Sequence, residues 1–190
     1  MNTPEKLPII NCVVVTYNRL SLLQENILAL KQQTFPLHKI FIINNCSTDG
    51  THEFLDSLSN DSQMEIIHLP ENKGGAWGFY EGIKQAVLAG CDYVWIMDDD
   101  TIPTKNALEE LTKGLSLSDR IGFVCSKVIW TDGSLHKMNG PNLVVDHTTQ
   151  ETILKSNMQT SGMVCESCSF VSVLFLSLIH ISEPTRPEPI

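Results

Sequence analysis

The chain of 190 residues is 42% hydrophobic and 18% charged, which is too apolar for a chain that is disordered over its whole length. Its 22 acidic and 13 basic side chains give a net charge of −9, and the sequence contains no basic run. This charge argues against binding to nucleic acid and to anionic membrane surfaces. Six scattered cysteines predict a reducing compartment and no disulfide framework.

Four short apolar runs in the first hundred residues predict buried β-strands, at 9–15, 39–43, 64–69 and 92–97. Apolar residues at helical spacing lie between these runs. Asp49 is placed to cap the second helix, and the third helix has a predicted apolar stripe made of Phe79, Ile83 and Val87. Later runs predict a helix near Leu108, a fifth strand at 121–129 and one more buried strand at 164–175. Alternating units of this kind predict an α/β fold with a mostly parallel sheet and helices on both faces.

Polar motifs follow each of the first four predicted strands. They are Thr16–Arg19, Asn44–Asn45, Asn72–Gly78 and Asp98–Asp100. In open parallel sheets, ligands bind at the carboxyl ends of the strands. We therefore expect these motifs to meet in one ligand site, and no single motif among them would support that inference alone.

The three consecutive aspartates are candidate metal ligands. Asp98, Asp99 and Asp100 follow an apolar strand, and adjacent carboxylates repel one another unless a cation is present. Alternate carboxylates at a strand end can bind Mg²⁺ or Mn²⁺, with substrate phosphates completing the shell. The alternative is a solvated acidic loop that precedes the next helix.

The glycine-rich loop is a candidate phosphate or sugar site. Asn72, Gly74 and Gly75 open a helix whose N-terminus favours anions, and Lys73 adds a positive charge. The alternative is an ordinary strand-to-helix loop. The loop is neither a Walker motif nor a dinucleotide fingerprint, because no G-K-[ST] follows and the glycines come after the third strand.

Thr16 and Asn45 lie where a nucleotide base could bind between the first two strands. An asparagine amide offers both a donor and an acceptor to a pyrimidine edge. The alternative is turn chemistry, because both residue types are common in turns. The sequence leaves these two interpretations open.

Four segments, VVVTYNR (13–19), INNCSTDGT (43–51), NKGGAWGF (72–79) and WIMDDDTIP (95–103), together resemble family-2 glycosyltransferases with the GT-A fold. The pattern looks most like the galactofuranosyl- and rhamnosyltransferases that build bacterial cell-surface glycans. The resemblance implies a UDP- or dTDP-linked sugar donor, Mn²⁺ or Mg²⁺, a glycan or lipid-linked acceptor, and inversion at the anomeric carbon.

The same resemblance implies a role for each matching residue. Asp98 and Asp100 would hold the metal, and Asp99 would lie against the nucleotide sugar. The remaining donor-binding residues are implied to be Thr16 and Asn45 at the base, with Asn72, Gly74 and Gly75 near the donor.

Two departures from the family pattern stand out. Trp77 occupies a position where a small residue is expected. The family has its acidic catalytic base downstream of a strand like the one at 170–175, and the sequence that matches the family ends near that strand. We therefore expect a partial nucleotide-sugar-binding domain at 1–176, with no catalytic base assigned. Residues 176–187 resemble a translated sequencing adaptor, so 177–190 is expected to be an artefactual or disordered tail. The alternative is a genuine apolar strand followed by a loose tail.

The sequence has two alternative functional interpretations. A sugar-nucleotidyltransferase would need a glycine-rich basic loop after the first strand, and Thr16–Arg19 contains no glycine. A non-catalytic fragment that binds only nucleotide is the other alternative. The N-terminus lacks the features of a signal peptide, and the uncharged stretch at 167–181 is shorter than a membrane-spanning helix. We expect a cytoplasmic protein, either free or peripheral to the inner face of the membrane.

Overall fold

The computed structural model describes residues 7–117, 121–136, 139, 142–143, 165–169 and 171–177. The predicted tail, apart from Ser177, lies outside these residues. The strands are β1 (Ile10–Thr16), β2 (Lys39–Asn44), β3 (Met64–His68), β4 (Tyr93–Asp98), β5 (Phe123–Cys125), β6 (Asn142–Leu143), β7 (Cys165–Ser167) and β8 (Val173–Leu176). The helices are α1 (Leu20–Lys31), α2 (Thr51–Ser57), α3 (Gly75–Leu88) and α4 (Ala107–Leu115).

A six-stranded sheet with the order β3-β2-β1-β4-β8-β5 organises the fold. Strands β1 to β4 run parallel to one another, whereas β8 is antiparallel to both β4 and β5. Strands β6 and β7 form a separate antiparallel pair. The predicted α/β fold with a mostly parallel sheet is confirmed.

The prediction of one strand at 164–175 is wrong. The segment divides into β7 and β8, and Ser172 between them has a φ of +55°, a left-handed conformation that an extended strand cannot contain. The fifth strand is also shorter than predicted. Beyond β5, Ile129 pairs with Leu135 around a turn in which Gly133 has a φ of +83°.

The sheet separates two apolar cores. Helices α1, α2 and α4 cover one face, where Leu23, Leu55 and Leu108 pack with alternate side chains of β1, β2 and β4. Helix α3 covers the other face, against the remaining side chains of the same strands. All seven residues of β1 are buried, as expected for a central parallel strand covered on both sides.

Helix α3 approaches the sheet through small residues, and the predicted stripe of Phe79, Ile83 and Val87 packs beside them against the second core. Gly78, Gly82 and Ala86 are its buried positions, and Phe79 and Ile83 are only partly buried beside them. A Cβ atom on Gly82 would lie 2.4 Å from Val13 Cγ1, so only glycine allows this approach. The close packing places the start of α3 and its glycine-rich loop directly over β1 and β2.

None of the helices among the described residues is long and apolar enough to cross a membrane.

Candidate functional site

The carboxyl ends of β1 to β4 bring the four polar motifs to one edge of the sheet. Thr16 is paired with Asn44 across β1 and β2, and Val15 is paired with Asp98 across β1 and β4. The backbone N–H of Asn45 donates to the Thr16 carbonyl at 2.9 Å. Because these strands are parallel, the segments that follow them lie side by side, as the sequence predicted.

Arg19 holds the aspartate cluster together. Its Nη1 lies 2.5 Å from Asp100 Oδ2 and 3.5 Å from Asp99 Oδ1. The Asp99 side chain is 5% exposed, whereas Asp100 and Arg19 are about half exposed, at 47% and 50%. The guanidinium therefore supplies part of the positive charge that three adjacent carboxylates require.

Burial shifts the protonation of two of these aspartates. It is the main cause of the raised pKa of Asp98, and the charges of Asp100 and Asp99 raise that pKa further. Burial also raises the pKa of Asp99, against the opposing effects of the Thr16 hydroxyl and Arg19. Both carboxylates are thus less stable in their charged form than in water, a cost that a bound cation would relieve.

The cluster fits a hard divalent cation. Its side chains offer only carboxylate oxygens, the ligand type that Mg²⁺ and Mn²⁺ prefer. Beside Asp99, the Oγ1 atom of buried Thr16 completes no well-aligned hydrogen bond. This site therefore contains negative charge that Arg19 compensates only in part, beside a buried hydroxyl that lacks a well-aligned hydrogen bond.

Asn45 and Asn72 order the glycine-rich loop. Asn45 Nδ2 donates to Asn72 Oδ1 at 2.8 Å, and that same oxygen accepts the Gly74 N–H at 2.8 Å. Asn45 Oδ1 accepts the Lys73 N–H at 3.3 Å. The amide of Asn45, predicted to contact a nucleotide base, is thus hydrogen-bonded to the loop in this structure.

The loop enters α3 with backbone groups exposed. Gly74 has a φ of +85°, and no atom lies within 4 Å of a Cβ built on Gly74 or on Gly75. Open space above two glycines is what the close approach of a phosphate or a sugar requires. Trp77 projects from the first turn of α3 with 41% exposure, and Lys73 Nζ lies 5.2 Å from its ring centroid.

The loops after β1 and β2 brace each other through the side chains of Asn18 and Asp49, and the sequence predicted a role only for Asp49, as the cap of the second helix. Asn18 has a φ of +53°, and its Oδ1 accepts the Thr48 N–H at 2.7 Å. Asp49 Oδ2 accepts the Leu20 N–H at 3.0 Å, and its Oδ1 accepts the Thr51 N–H at 3.2 Å. Asp49 therefore satisfies backbone donors at the start of both α1 and α2, although Gly50 is the N-cap residue of α2.

Comparison with known proteins identifies the family. The family model described as glycosyl transferase family 2 matches residues 12–177. Poly-beta-1,6-N-acetyl-D-glucosamine synthase from Staphylococcus aureus (strain COL) is 30% identical over 63% of this chain and 28% of its own length. The putative teichuronic acid biosynthesis glycosyltransferase TuaG of Bacillus subtilis (strain 168) is 26% identical over 54% of this chain and 40% of its own. The chain thus spans well under half the length of these curated relatives.

Solved structures share the fold. The mannosyltransferase PcManGT from Pyrobaculum calidifontis superposes with a TM-score of 0.57 and 24% identity, over 66% of this chain and 37% of its own. TarS from S. aureus superposes with a TM-score of 0.58 and 22% identity, over 71% of this chain and 41% of its own. These similarities confirm the GT-A fold, and the family match over residues 12–177 means that the chain belongs to glycosyl transferase family 2.

Proposed function

We propose that the chain is the nucleotide-sugar-binding part of a glycosyltransferase that transfers a sugar from a nucleotide-diphosphate donor to a cell-surface glycan. The observation that carries this proposal is the aspartate cluster at the end of β4, in which Asp99 is buried, beside Thr16 and the glycine-rich loop. Two curated relatives are named as a poly-beta-1,6-N-acetyl-D-glucosamine synthase and as a putative teichuronic acid biosynthesis glycosyltransferase.

In this proposal, Asp98 and Asp100 hold Mn²⁺ or Mg²⁺. A cation held by these two carboxylates would supply Lewis-acid stabilisation of the charge on the leaving diphosphate. The carboxyl group of Asp99 lies against the nucleotide sugar, and Arg19 is the neighbouring counter-charge. PcManGT, which shares the fold, is described in complex with GDP-Man and Mn²⁺.

The loop and the first two strands bind the donor. Gly74 and Gly75 let backbone N–H groups approach the diphosphate or sugar, and Lys73 adds a cation whose Nζ is 3.1 Å from Glu71 Oε1. Thr16 and Asn45 lie beside the base, with Asn72 linking Asn45 to the loop. Release of the Asn45 amide from Asn72 would free it for a pyrimidine edge.

The sugar is proposed to be of the galactofuranose or rhamnose type, supported by the glycine-rich block that is followed by the three aspartates. The donor is proposed to be UDP- or dTDP-linked, and TarS is described in complex with UDP-GlcNAc. The acceptor is proposed to be a glycan or a lipid-linked glycan. We further propose that the protein acts in the cytoplasm or at the inner face of the membrane.

No residue of this chain is assigned as the catalytic base. Domain 1–176 is proposed to bind donor, while the base and the acceptor-binding groups come from residues outside it. A positioned general base contributes about 10²–10⁴-fold in rate. The purified chain should therefore bind donor and transfer sugar poorly, and transfer at the rate of a full-length relative would place a base within it.

The experiment is a calorimetric titration of the chain with UDP-, dTDP- and GDP-linked sugars, with Mn²⁺ and with chelator. Binding should require the cation, and Asp100→Asn should weaken it. Asp132→Asn is the control, because Asp132 lies in the exposed hairpin turn after β5, where it accepts the Ser134 N–H. Equal donor affinity with and without chelator, in the wild type and in Asp100→Asn, would exclude the metal role.

A further inference from the structure

A second cluster of potential metal ligands lies apart from the aspartates. His52 and Asp56 stand one turn apart on α2, and His68 is the last residue of β3. One ligand atom from each of the three residues lies within 4.8 Å of the other two. None of these residues belongs to the proposed donor or metal set, so the proposed function leaves the cluster without a role.

The spacing within this cluster suits a metal shell. His68 Nε2 lies 3.2 Å from Asp56 Oδ1, and His52 Nε2 lies 3.5 Å from Asp56 Oδ2. In a tetrahedral zinc site with bonds of about 2.0–2.2 Å, neighbouring ligand atoms are about 3.3–3.5 Å apart. The two imidazoles stack with centroids 3.8 Å apart, and each Nε2 approaches one oxygen of the same carboxylate. Binding of one ion by both nitrogens requires the rings to turn out of this stack, so that their in-plane lone pairs converge.

Helix α2 contributes two of the three ligand residues. Residues four apart on a helix project from one face, which is the spacing that zinc-binding helices use. The side chains of His52 and Asp56 are 50% and 61% exposed, and that of His68 is 25% exposed. An ion can therefore reach the cluster from solvent without any movement of the backbone.

Asn44 determines the tautomer of His68. Asn44 Oδ1 accepts the Ser47 N–H, which leaves Nδ2 to donate to His68 Nδ1 at 3.0 Å. His68 then carries its proton on Nε2 and donates it to Asp56. A metal at Nε2 requires the proton to move to Nδ1 and the Asn44 amide to turn its oxygen toward that N–H, because the free ring nitrogen of a zinc-bound histidine donates to a carboxylate, a carbonyl or water.

We propose that His52, Asp56 and His68 form a binding site for Zn²⁺ or another late first-row divalent cation. Two imidazole nitrogens and one carboxylate supply the protein ligands, and water completes the shell. Imidazoles select this class of metal, whereas the all-carboxylate cluster of Asp98 and Asp100 selects Mg²⁺ or Mn²⁺. The two sites are therefore distinguishable by the metal that each one binds.

The test uses the untagged 190-residue chain, titrated with Co²⁺ in excess Mg²⁺ and then with Zn²⁺ as competitor. The wild type should show visible Co²⁺ bands of low coordination number without the near-ultraviolet charge-transfer band of a thiolate, and Zn²⁺ should displace them. His52→Gln and His68→Gln should each weaken Co²⁺ binding by about tenfold or more. The control is His38→Gln, which replaces an exposed histidine outside the cluster and should leave the Co²⁺ affinity unchanged.

Thermal unfolding of every variant verifies that it is folded. Undiminished Co²⁺ affinity in the His52→Gln/His68→Gln double variant, a thiolate charge-transfer band, or no binding by the wild type would each overturn the proposal. Asn44→Asp offers a carboxylate to both the Ser47 N–H and the His68 Nδ1–H, and should tighten the complex about tenfold. Weaker binding by a folded Asn44→Asp variant would overturn the assignment of Nε2 as the ligand atom.

Discussion

Arg19 reduces the repulsion among the three aspartates at the end of β4. Its contacts with Asp99 and Asp100 place a protein cation on carboxylates that are also proposed to bind a metal. A divalent cation that binds Asp100 must therefore displace or share the guanidinium. An exposed pair of this kind contributes about 0.2–1 kcal/mol, which sets the scale of the competition.

Replacement of Arg19 by glutamine should therefore tighten Mn²⁺ binding in the absence of nucleotide, by about two- to fivefold. Paramagnetic resonance of free Mn²⁺ measures this affinity directly. Lys31→Gln is the matched control, because Lys31 pairs with Asp61 away from the cluster. Unchanged or weaker Mn²⁺ binding in Arg19→Gln would show that the guanidinium does not compete with the cation.

Asp49 makes stability depend on pH in the acid range. Burial alone would raise its pKa, but hydrogen bonds from Thr51 and from the Leu20 N–H lower it below the ordinary value of 3.8. A lowered pKa means that the stabilisation is present above the ordinary pKa and disappears as pH falls through the lower folded value.

Asp49→Asn should lower the free energy of unfolding at pH 7 by about 1 kcal/mol, the usual effect of losing a helix-start hydrogen bond. Denaturant unfolding at pH 7 and pH 3 should show a smaller acid-induced loss in the variant than in the wild type. Glu53→Gln, in the first turn of α2, is the control. An equal pH dependence in wild type and Asp49→Asn would contradict the assigned role.

At the scale of residues, the sequence predicted which motifs lie together, but not the ion pairs and side-chain hydrogen bonds between them. The aspartates indicated that a cation was needed, and Arg19 lay in the motif after the first strand. Its contact with Asp100 spans 81 positions, a separation that no local pattern specifies. Long-range hydrogen bonds such as Asn45 to Asn72 escaped prediction for the same reason.

At the scale of elements, the packing of α3 depends on one face of small residues. Gly78 and Gly82 lie one turn apart, and a Cβ atom on Gly82 would also come within 2.9 Å of Ile43. These contacts involve branched side chains buried in the sheet, which have little room to move. A methyl group on this face must therefore push α3 away from β1 and β2.

Gly82→Ala should lower the free energy of unfolding by about 1–3 kcal/mol, in spite of the higher helix propensity of alanine. Chemical denaturation measures the change. Gly122→Ala is the matched control, because no atom lies within 4 Å of a Cβ built there and its φ is not positive. A Gly82→Ala variant as stable as the wild type would mean that the helix and sheet pack less closely than described.

The sequence predicted the bounds of those strands that are single continuous apolar runs. The apolar runs at 9–15 and 92–97 match β1 and β4 to within one residue at each end, because a strand covered on both faces is a continuous apolar run. The pattern at 164–175 failed because apolar content cannot reveal the left-handed Ser172. The stripe predicted for α3 packs against the second core, but the apolar pattern did not reveal that Gly78 and Gly82 make the closest approach to the sheet.

At the scale of the whole molecule, β8 connects β5 to the parallel part of the sheet. It lies between β4 and β5, with Leu174 fully buried opposite Trp95 and Val124. Trp95 Nε1 donates to Ser172 Oγ at 3.1 Å, and the Ser177 N–H donates to the Asp92 carbonyl at 2.9 Å. The sheet is therefore complete only when residues 171–177 are in place.

Leu174→Ala should lower the free energy of unfolding by about 2–5 kcal/mol, because it opens a cavity among buried side chains in the interior of the sheet. Deletion of residues 182–190 should change it by no more than about 0.5 kcal/mol, since three prolines in seven residues disfavour regular structure. Leu135→Ala, at a side chain 61% exposed, controls for the loss of an apolar group at the surface. Denaturant unfolding of the four chains measures both effects, and a large loss on deletion would show that the tail belongs to the fold.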